Sequence, residues 1–193
     1  MTNKWTEDSI ESQKGKIVII TGGSSGIGLE AARVLSSKGA NVIIAVRNLE
    51  KGESAARKIK EVYPKAIIEV MHIELSDLES VKKFAETFAL KYSRLDILIN
   101  NAGVMVPPLK LTKQGYELQF GTNHLAHFAL TGLLLPLMKD IPGSRVVTVS
   151  SIAARGGKIH YDNLDAKKGY GAFKFYSQSK YANLLFGKRL DNI

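Results

Sequence analysis

Tyr176 and Lys180 form a pair whose residue types and spacing could do acid/base chemistry. They stand four positions apart, so they share one face of any helix that contains them. A phenol has a pKa of about 10, too high for easy proton exchange at neutral pH, and a nearby ammonium favours the phenolate. The pair could therefore exchange a proton with a carbonyl or alcohol oxygen, and Ser151 could hold that oxygen by a hydrogen bond. An ordinary helix face is the alternative, because Tyr-x-x-x-Lys occurs by chance in many helices.

A glycine-rich loop near the start of the chain predicts an anion-binding site. It follows the apolar run Ile17–Ile20, which is typical of a buried parallel strand, and it precedes apolar residues at helical spacing. In that order, free N–H groups and the positive end of a helix dipole face whatever lies in the turn. The glycines are Gly22, Gly26 and Gly28, spaced GxxxGxG rather than GxGxxG, and Leu29 excludes a Walker loop. A nucleotide phosphate is the predicted ligand, and a merely tight strand–helix turn is the alternative.

Two further strand ends extend this predicted site. Arg47 follows the apolar run Ala40–Val46, and no acid stands at 45–48. In a dinucleotide fold an acid at this place holds the 2′-hydroxyl of NAD, whereas an arginine suits the additional phosphate of NADP. Residues 100–103, Asn-Asn-Ala-Gly, end another strand, and small or amide residues at that edge suit a ligand crevice. The alternatives are an exposed arginine at a strand end and an ordinary turn.

Apolar runs and helical patterns alternate along the chain, which predicts an α/β fold with a doubly wound parallel sheet. We expect residues 1–15 to form a polar arm, with Trp5 packed back on the body, and residues 16–193 to form one dinucleotide-binding domain. The predicted strands are Ile17–Ile20, Ala40–Val46, Ala66–Ile73, Leu95–Ile99 and Arg145–Val149. The predicted helices are one after the glycine loop, Asn48–Val62, one started by a capping box of Ser76 and Glu79, Tyr116–Lys139 with Pro136 disturbing its last turn, and Tyr176–Leu190.

Composition narrows the class of protein. The chain of 193 residues has no cysteine, which excludes disulfides and thiolate metal sites, and its four histidines have no accompanying carboxylate cluster, so no metal site is predicted. The net charge is +9, but the cations are scattered without interleaved aromatic residues, so we expect an anionic cofactor and solvated faces rather than a nucleic-acid partner. Neither a signal peptide nor a membrane span is visible, and we predict a cytoplasmic location.

Taken together, these motifs resemble the short-chain dehydrogenase/reductase family over nearly the whole chain. The motifs are TGxxxGIG at 21–28, NNAG at 100–103, a serine that ends the fifth strand, and YxxxK at 176–180. The long segment between Ser151 and Tyr176 is similar to the branch of retinol dehydrogenases and WW-domain oxidoreductases, and so are the separate motifs NHLAHF and SKYANLLF. That branch tends to use NADP(H). Glu74 and Gln114 depart from the aspartates that relatives often carry.

The resemblance implies a Rossmann-like fold and hydride transfer between NADP(H), rather than NAD(H), and a small carbonyl or alcohol substrate. It implies that Tyr176 donates or accepts the proton, that Lys180 binds ribose and tunes Tyr176, and that Ser151 positions the substrate oxygen. Asn123 matches the helix asparagine that in relatives connects the lysine to solvent through water. The residues implied to line the cofactor are Gly22, Ser24, Ser25, Gly26, Ile27, Gly28, Arg47, Asn101, Ala102, Gly103, Tyr176 and Lys180.

The resemblance also implies a sixth strand, a substrate-covering segment and usually a seventh strand after the last helix. We therefore expect this chain to be C-terminally incomplete and to lack the last strands of the family fold. Its fifth strand would then be an uncovered edge with the apolar residues Val146, Val147 and Val149. The alternative function is a catalytically weak or silent nucleotide-binding or interaction module. A homodimer through the helices that contain Asn123 and Tyr176 is a further arrangement that the resemblance allows.

Overall fold

A five-stranded parallel sheet forms the centre of the computed structural model, which describes residues 5–191. The spatial order is β3-β2-β1-β4-β5, so the strand order reverses between β1 and β4. The strands are β1 (Ile17–Thr21), β2 (Asn41–Val46), β3 (Ile67–His72), β4 (Ile97–Asn100) and β5 (Arg145–Thr148). Each neighbouring pair is parallel, which confirms the predicted α/β fold.

Helices cover both faces of this sheet. They are α1 (Gly26–Ser37), α2 (Leu49–Val62), α3 (Leu78–Lys91), α4 (Leu118–Phe120), α5 (Ala126–Leu134) and α6 (Ala172–Leu190). Successive side chains of β1 point to opposite faces, because strand side chains alternate. Val18 and Ile20 pack with α1 and α2, whereas Ile19 packs with α3 and α5. Burial on both faces explains why the strands read as continuous apolar runs rather than as alternating patterns.

The small residues of α2 let this helix approach the sheet closely. Gly52 is buried, and a Cβ placed on it would lie 2.5 Å from Cγ1 of Val70 and 2.7 Å from Cγ2 of Val46. Ala55 and Ala56 continue the same buried face. The separation between α2 and the sheet is therefore set by the missing side chain at residue 52.

The predicted helix Tyr116–Lys139 is not continuous. A π-helical turn, Gly121–Leu125, separates α4 from α5, and a 3-10 turn, Leu135–Leu137, contains Pro136. The helix of the Tyr–Lys pair begins at Ala172, earlier than the predicted Tyr176. The pattern of apolar residues predicts the helical stretch but not the local change in hydrogen bonding.

Two local predictions are wrong. No capping box of Ser76 and Glu79 starts α3; the side chain of Asp77 accepts the N–H of Glu79, and the Ser76 hydroxyl donates to the carboxylate of Glu74. Asp77, not Ser76, directly precedes α3 and is its N-cap. Trp5 lines an apolar groove beside α1 but is 72% exposed, so it is not packed as predicted.

The two margins of the described chain differ in their contacts. Glu7, in a 3-10 turn at Glu7–Ser9, forms an ion pair with Arg33 of α1. The division into an arm of 1–15 and a domain of 16–193 stays a prediction.

Strand β5 lies at one edge of the sheet, and Val147 on it is 46% exposed. Within residues 5–191 the predicted uncovered edge is therefore present. None of the helices in this described range is long and apolar enough to cross a bilayer.

We predict that Gly52→Ala destabilises the fold by about 1–3 kcal/mol, because the added methyl group forces α2 away from the valines of the sheet. Gly132→Ala is the matched control. This glycine of α5 is exposed, and a methyl group placed on it would have no described atom within 4 Å apart from the adjacent backbone of its own helix. The control change should stabilise the fold by about 0.5–1 kcal/mol. Urea unfolding of both variants measures the difference. Equal effects of the two substitutions would contradict the close packing of α2.

Candidate active site

The glycine loop lies at the carboxyl end of β1 and leads directly into α1. Gly22 and Gly26 have positive φ angles of 68° and 54°, which residues with a Cβ atom rarely adopt. A Cβ on Gly28 would lie 2.5 Å from Nδ2 of Asn101 and 2.6 Å from the oxygen of Gly22. Ser25 precedes α1 without a side-chain capping hydrogen bond, and the first turn of α1 contains no acid. The helix dipole is therefore uncompensated here and favours an anion.

A cleft of about 280 Å³ opens beside this loop and receives residues from the ends of several strands. Thr122 lines this cleft, and its buried hydroxyl has no hydrogen-bond partner in the described protein. The other lining residues are Gly22, Ser24, Ser25, Ala45, Val46, Arg47, Asn48, Lys51, Ile73, Glu74, Leu75, Ala102, Gly103 and Val104. Such a polar, glycine-walled cleft fits a phosphate-bearing dinucleotide.

Four of the cofactor residues predicted on the two loops do not line this cleft. Asn101 supports the glycine loop instead, because its side chain donates to the backbone oxygen of Thr21 at 2.9 Å. Gly26 and Gly28 shape the start of α1, and the side chain of Ile27 is 74% exposed. Their assignment to the cofactor remains a prediction.

Cations stand at the end of the cleft formed by β2. Arg47 is 78% exposed, and its Nε lies 3.7 Å from Oε2 of Glu74. The carboxylate of Glu74 also accepts hydrogen bonds from the backbone and the hydroxyl of Ser76. Lys51, in the first turn of α2, lines the same cleft and was missed from sequence. No helix-face spacing indicated it, because Arg47 precedes Asn48, the N-cap of α2, and so does not share a helix face with Lys51.

Helix α6 presents Tyr176 and Lys180 one turn apart. Lys180 is only 5% exposed; its Nζ donates to the backbone oxygen of Val149 at 3.0 Å and lies 5.9 Å from the centre of the Tyr176 ring. Burial lowers the pKa of the Lys180 ammonium. A Cβ on Gly103 would lie 3.6 Å from that Nζ. The ammonium therefore stands directly behind the cofactor-side cleft.

Ser151 and Tyr176 line a second cleft, of about 650 Å³, on the other side of the loop after β4. Three exposed apolar side chains share its walls: Met105, Ile152 and Phe173. No periodicity or motif in the sequence indicated them, because they come from three separate segments. A phenol and a hydroxyl in a largely apolar cleft are suited to an apolar molecule with one reactive oxygen.

The side chain of Asn123 is fully engaged with protein groups. Its Oδ1 accepts the N–H of Val104 at 2.8 Å, and its Nδ2 donates to the oxygen of Val104 at 2.9 Å and to Oγ of Ser179 at 3.0 Å. A Cβ on Gly103 would lie 3.0 Å from its Oδ1, so Asn123 and Lys180 flank the same glycine. The implied water link between this asparagine and the lysine remains a prediction.

The four catalytic candidates thus converge on residues 103–105. Gly103 lies in the polar cleft between Asn123 and Lys180, and Met105 lies in the apolar cleft with Ser151 and Tyr176. Across residues 5–191, no group of three histidine, aspartate or glutamate side chains could hold a metal ion. The arrangement can hold an anionic molecule in one cleft and bring a phenol to an oxygen in the other.

Comparison with known proteins assigns the class. The sequence profile of the short chain dehydrogenase family matches residues 16–191, and the chain belongs to this family. Mouse retinol dehydrogenase 12 is 48% identical over 176 residues, which is 91% of this chain and 56% of that protein. The chain therefore spans about half the length of the curated relatives it matches. The resemblance to the retinol-dehydrogenase branch is confirmed.

Two solved structures support the fold. One, from Mycobacterium paratuberculosis, has a TM-score of 0.87 and 46% identity, and the match covers 97% of this chain and 66% of that one. The other is a short chain dehydrogenase from Escherichia coli CFT073 in complex with NADPH, with a TM-score of 0.75 and 28% identity. That match covers 97% of this chain and 74% of the other.

His127 gives the site a testable pH signature. Burial lowers the pKa of this fully buried histidine to about 4, whereas in the unfolded chain it titrates near 6.5. Between these values the unfolded state binds more protons, so stability falls as pH falls from about 6.5 toward 4, by about 3 kcal/mol in total. His127→Gln should lose this component. Urea unfolding at several pH values compares the two proteins, and identical profiles would contradict the buried neutral ring.

Proposed function

We propose that this chain contains the cofactor-binding and catalytic part of an NADP(H)-dependent oxidoreductase, which transfers a hydride between nicotinamide and a carbonyl or alcohol. The observation that carries the proposal is the junction of the two clefts at 103–105. On one side lie a glycine-walled anion site and the buried ammonium of Lys180; on the other side lie Tyr176 and Ser151. A hydride-transfer enzyme needs these two environments in contact.

The residues divide the work by their surroundings. The N–H groups at the start of α1 would bind the pyrophosphate of the cofactor, and Lys180 would hold its ribose hydroxyls. The nicotinamide, when bound, supplies or accepts the hydride. Tyr176 donates a proton to the substrate oxygen in reduction and accepts it in oxidation, while Ser151 holds that oxygen. Asn123 keeps Gly103 and Val104 in place between the two clefts.

The substrate is an apolar carbonyl or alcohol. Met105, Ile152 and Phe173 surround the cleft of Tyr176 with exposed apolar surface. An apolar alcohol is also what the name of the similar mouse retinol dehydrogenase 12 describes. We place the protein in the cytoplasm, following its sequence, and this location stays a prediction.

Arg47 and Lys51 support NADP(H) over NAD(H). Both line the end of the polar cleft, where a 2′-phosphate would meet two cations. Because Glu74 pairs with Arg47 across 3.7 Å and is part of the same cleft, some of the positive charge is already offset. The NADPH complex of the similar E. coli enzyme agrees with this preference.

The second candidate function is a catalytically silent nucleotide-binding or interaction module. Within residues 5–191 the edge position of β5 and its exposed Val147 favour it, since an exposed strand edge is a surface with which another chain can pair. Exposed Phe128 on α5 and Leu184 and Leu185 on α6 give the helix pair an apolar outer surface, where we propose that two copies associate. Under this alternative the chain binds NADPH and self-associates but turns over no carbonyl compound.

We predict that Tyr176→Phe lowers turnover at least about 100-fold, because the proton donor is lost, while the Kd for NADPH changes little. Tyr181→Phe, on the same helix but outside the cleft, is the matched control and should keep full activity. NADPH oxidation with a panel of aldehydes and ketones, together with the mass in solution, provides the measurement. Full activity of Tyr176→Phe would refute its role. A chain that binds NADPH without any turnover would favour the silent module.

We further predict that Arg47→Gln weakens NADPH binding by roughly tenfold to 100-fold and leaves NADH binding unchanged, because one charge-assisted contact to phosphate is lost. Arg57→Gln, on an exposed part of α2 outside the cleft, is the control. Calorimetric titration of both cofactors measures the ratio of affinities. A chain that binds NADH as tightly as NADPH would contradict the assignment of Arg47.

A further inference from the structure

His127 is a buried histidine that none of the proposed catalytic steps uses. Its ring is 1% exposed, with Nδ1 at 2.9 Å from the backbone oxygen of Asn123 and Nε2 at 2.9 Å from Oγ1 of Thr21. A carbonyl oxygen only accepts, so Nδ1 carries the hydrogen. In a neutral ring Nε2 then has a free lone pair, and the Thr21 hydroxyl donates to it. The two contacts together determine the tautomer.

This contact orients the hydroxyl of Thr21. Its oxygen accepts the backbone N–H groups of Asn101 and Ala102, each at 3.0 Å. The other available acceptor for its hydrogen, the backbone oxygen of Ile99, is farther away at 3.4 Å. While the hydrogen points to His127, the oxygen lone pairs face the two amides. The histidine thereby controls how the loop after β4 is held against β1.

Asn123 closes the chain of hydrogen bonds into a ring. Its side chain binds both backbone groups of Val104, and its own backbone oxygen accepts from His127. The ring therefore runs from Thr21 through residues 101–104 to Asn123 and back through His127. Within it lies the segment on which the two clefts meet.

We propose that His127 is a positioning residue of this site, which holds the loop 101–104 against both Thr21 and Asn123 and so keeps the cofactor cleft formed. That the cleft binds NADP(H) rests on the proposed function; the positioning of the loop does not. A neutral ring is required, because a protonated ring cannot accept from Thr21. Burial, with a smaller contribution from the charge of Lys180, keeps His127 neutral at neutral pH.

Two variants with amide side chains separate the two hydrogen bonds of the His127 imidazole. In His127→Asn the side-chain amide can replace Nδ1 and reach the oxygen of Asn123, but it is too short to reach Thr21. In His127→Gln the amide oxygen can replace Nε2 and accept from Thr21, while the contact to Asn123 is lost. His127→Phe keeps the ring volume and loses both contacts. His124→Phe is the matched control, because this half-buried histidine of the adjacent turn contacts Asn183 rather than Thr21.

The test is hydrogen exchange of the amides of Asn101 and Ala102 in the whole chain, with NADPH titration on the same samples. We expect exchange about tenfold faster in His127→Asn and His127→Phe, since about one net hydrogen bond is lost, and recovery toward wild type in His127→Gln. The Kd for NADPH should rise by up to about tenfold in His127→Asn and His127→Phe, and less in His127→Gln. The amide of Ile19 in the centre of β1 serves as the internal reference and should not change.

Three results would overturn the proposal: unchanged exchange of both amides in His127→Phe, equal defects in His127→Gln and His127→Phe, or the same defect in His124→Phe. The second result would show that ring packing alone matters. If the wild-type chain does not bind NADPH, the proposed function fails, but the exchange of Asn101 and Ala102 still decides the positioning role.

Discussion

The site depends on the hydrogen bonds that the hydroxyl of Thr21 accepts from the backbone of Asn101 and Ala102. Thr21 lies at the end of β1, next to β4, where the strand order of the sheet reverses. The segments that leave two neighbouring parallel strands separate at such a point, and the crevice between them is where α/β proteins bind ligands. Their backbone amides still need partners, because an unpaired buried N–H is costly. The hydroxyl oxygen of Thr21 accepts hydrogen bonds from two of these amides, so both have a partner at the point where the two segments separate.

Close backbone approach makes the same region rigid. The loops after β1 and β4 pack so tightly that a Cβ on Gly22 would lie 3.0 Å from Cβ of Ala102, and one on Gly28 would overlap the side chain of Asn101. The glycines thus do two things: they permit positive φ angles, and they allow the second loop to lie against the first. A dinucleotide that binds here meets backbone donors whose positions are already set, which reduces the cost of ordering them.

The π-helical turn Gly121–Leu125 has a related explanation. Its centre is Asn123, whose side chain binds both backbone groups of Val104 and whose backbone oxygen accepts from the ring of His127. Single π-turns occur often at functional sites, and here the turn carries Asn123, which faces Gly103, and Thr122, which lines the polar cleft.

The sequence alone determined the fold class, because apolar periodicity is a local property, and its motif spacing predicted Ser151, Tyr176 and Lys180 as site residues. It also indicated Arg47 and the glycine loop. Only the tertiary structure decided that Asp77 caps α3, that Lys51 and Thr122 line the polar cleft, and that His127 touches Thr21 across 106 positions of the chain. The physical reason is that these contacts depend on how β1, β4 and α5 pack together, and no pattern within one segment records the distance to another.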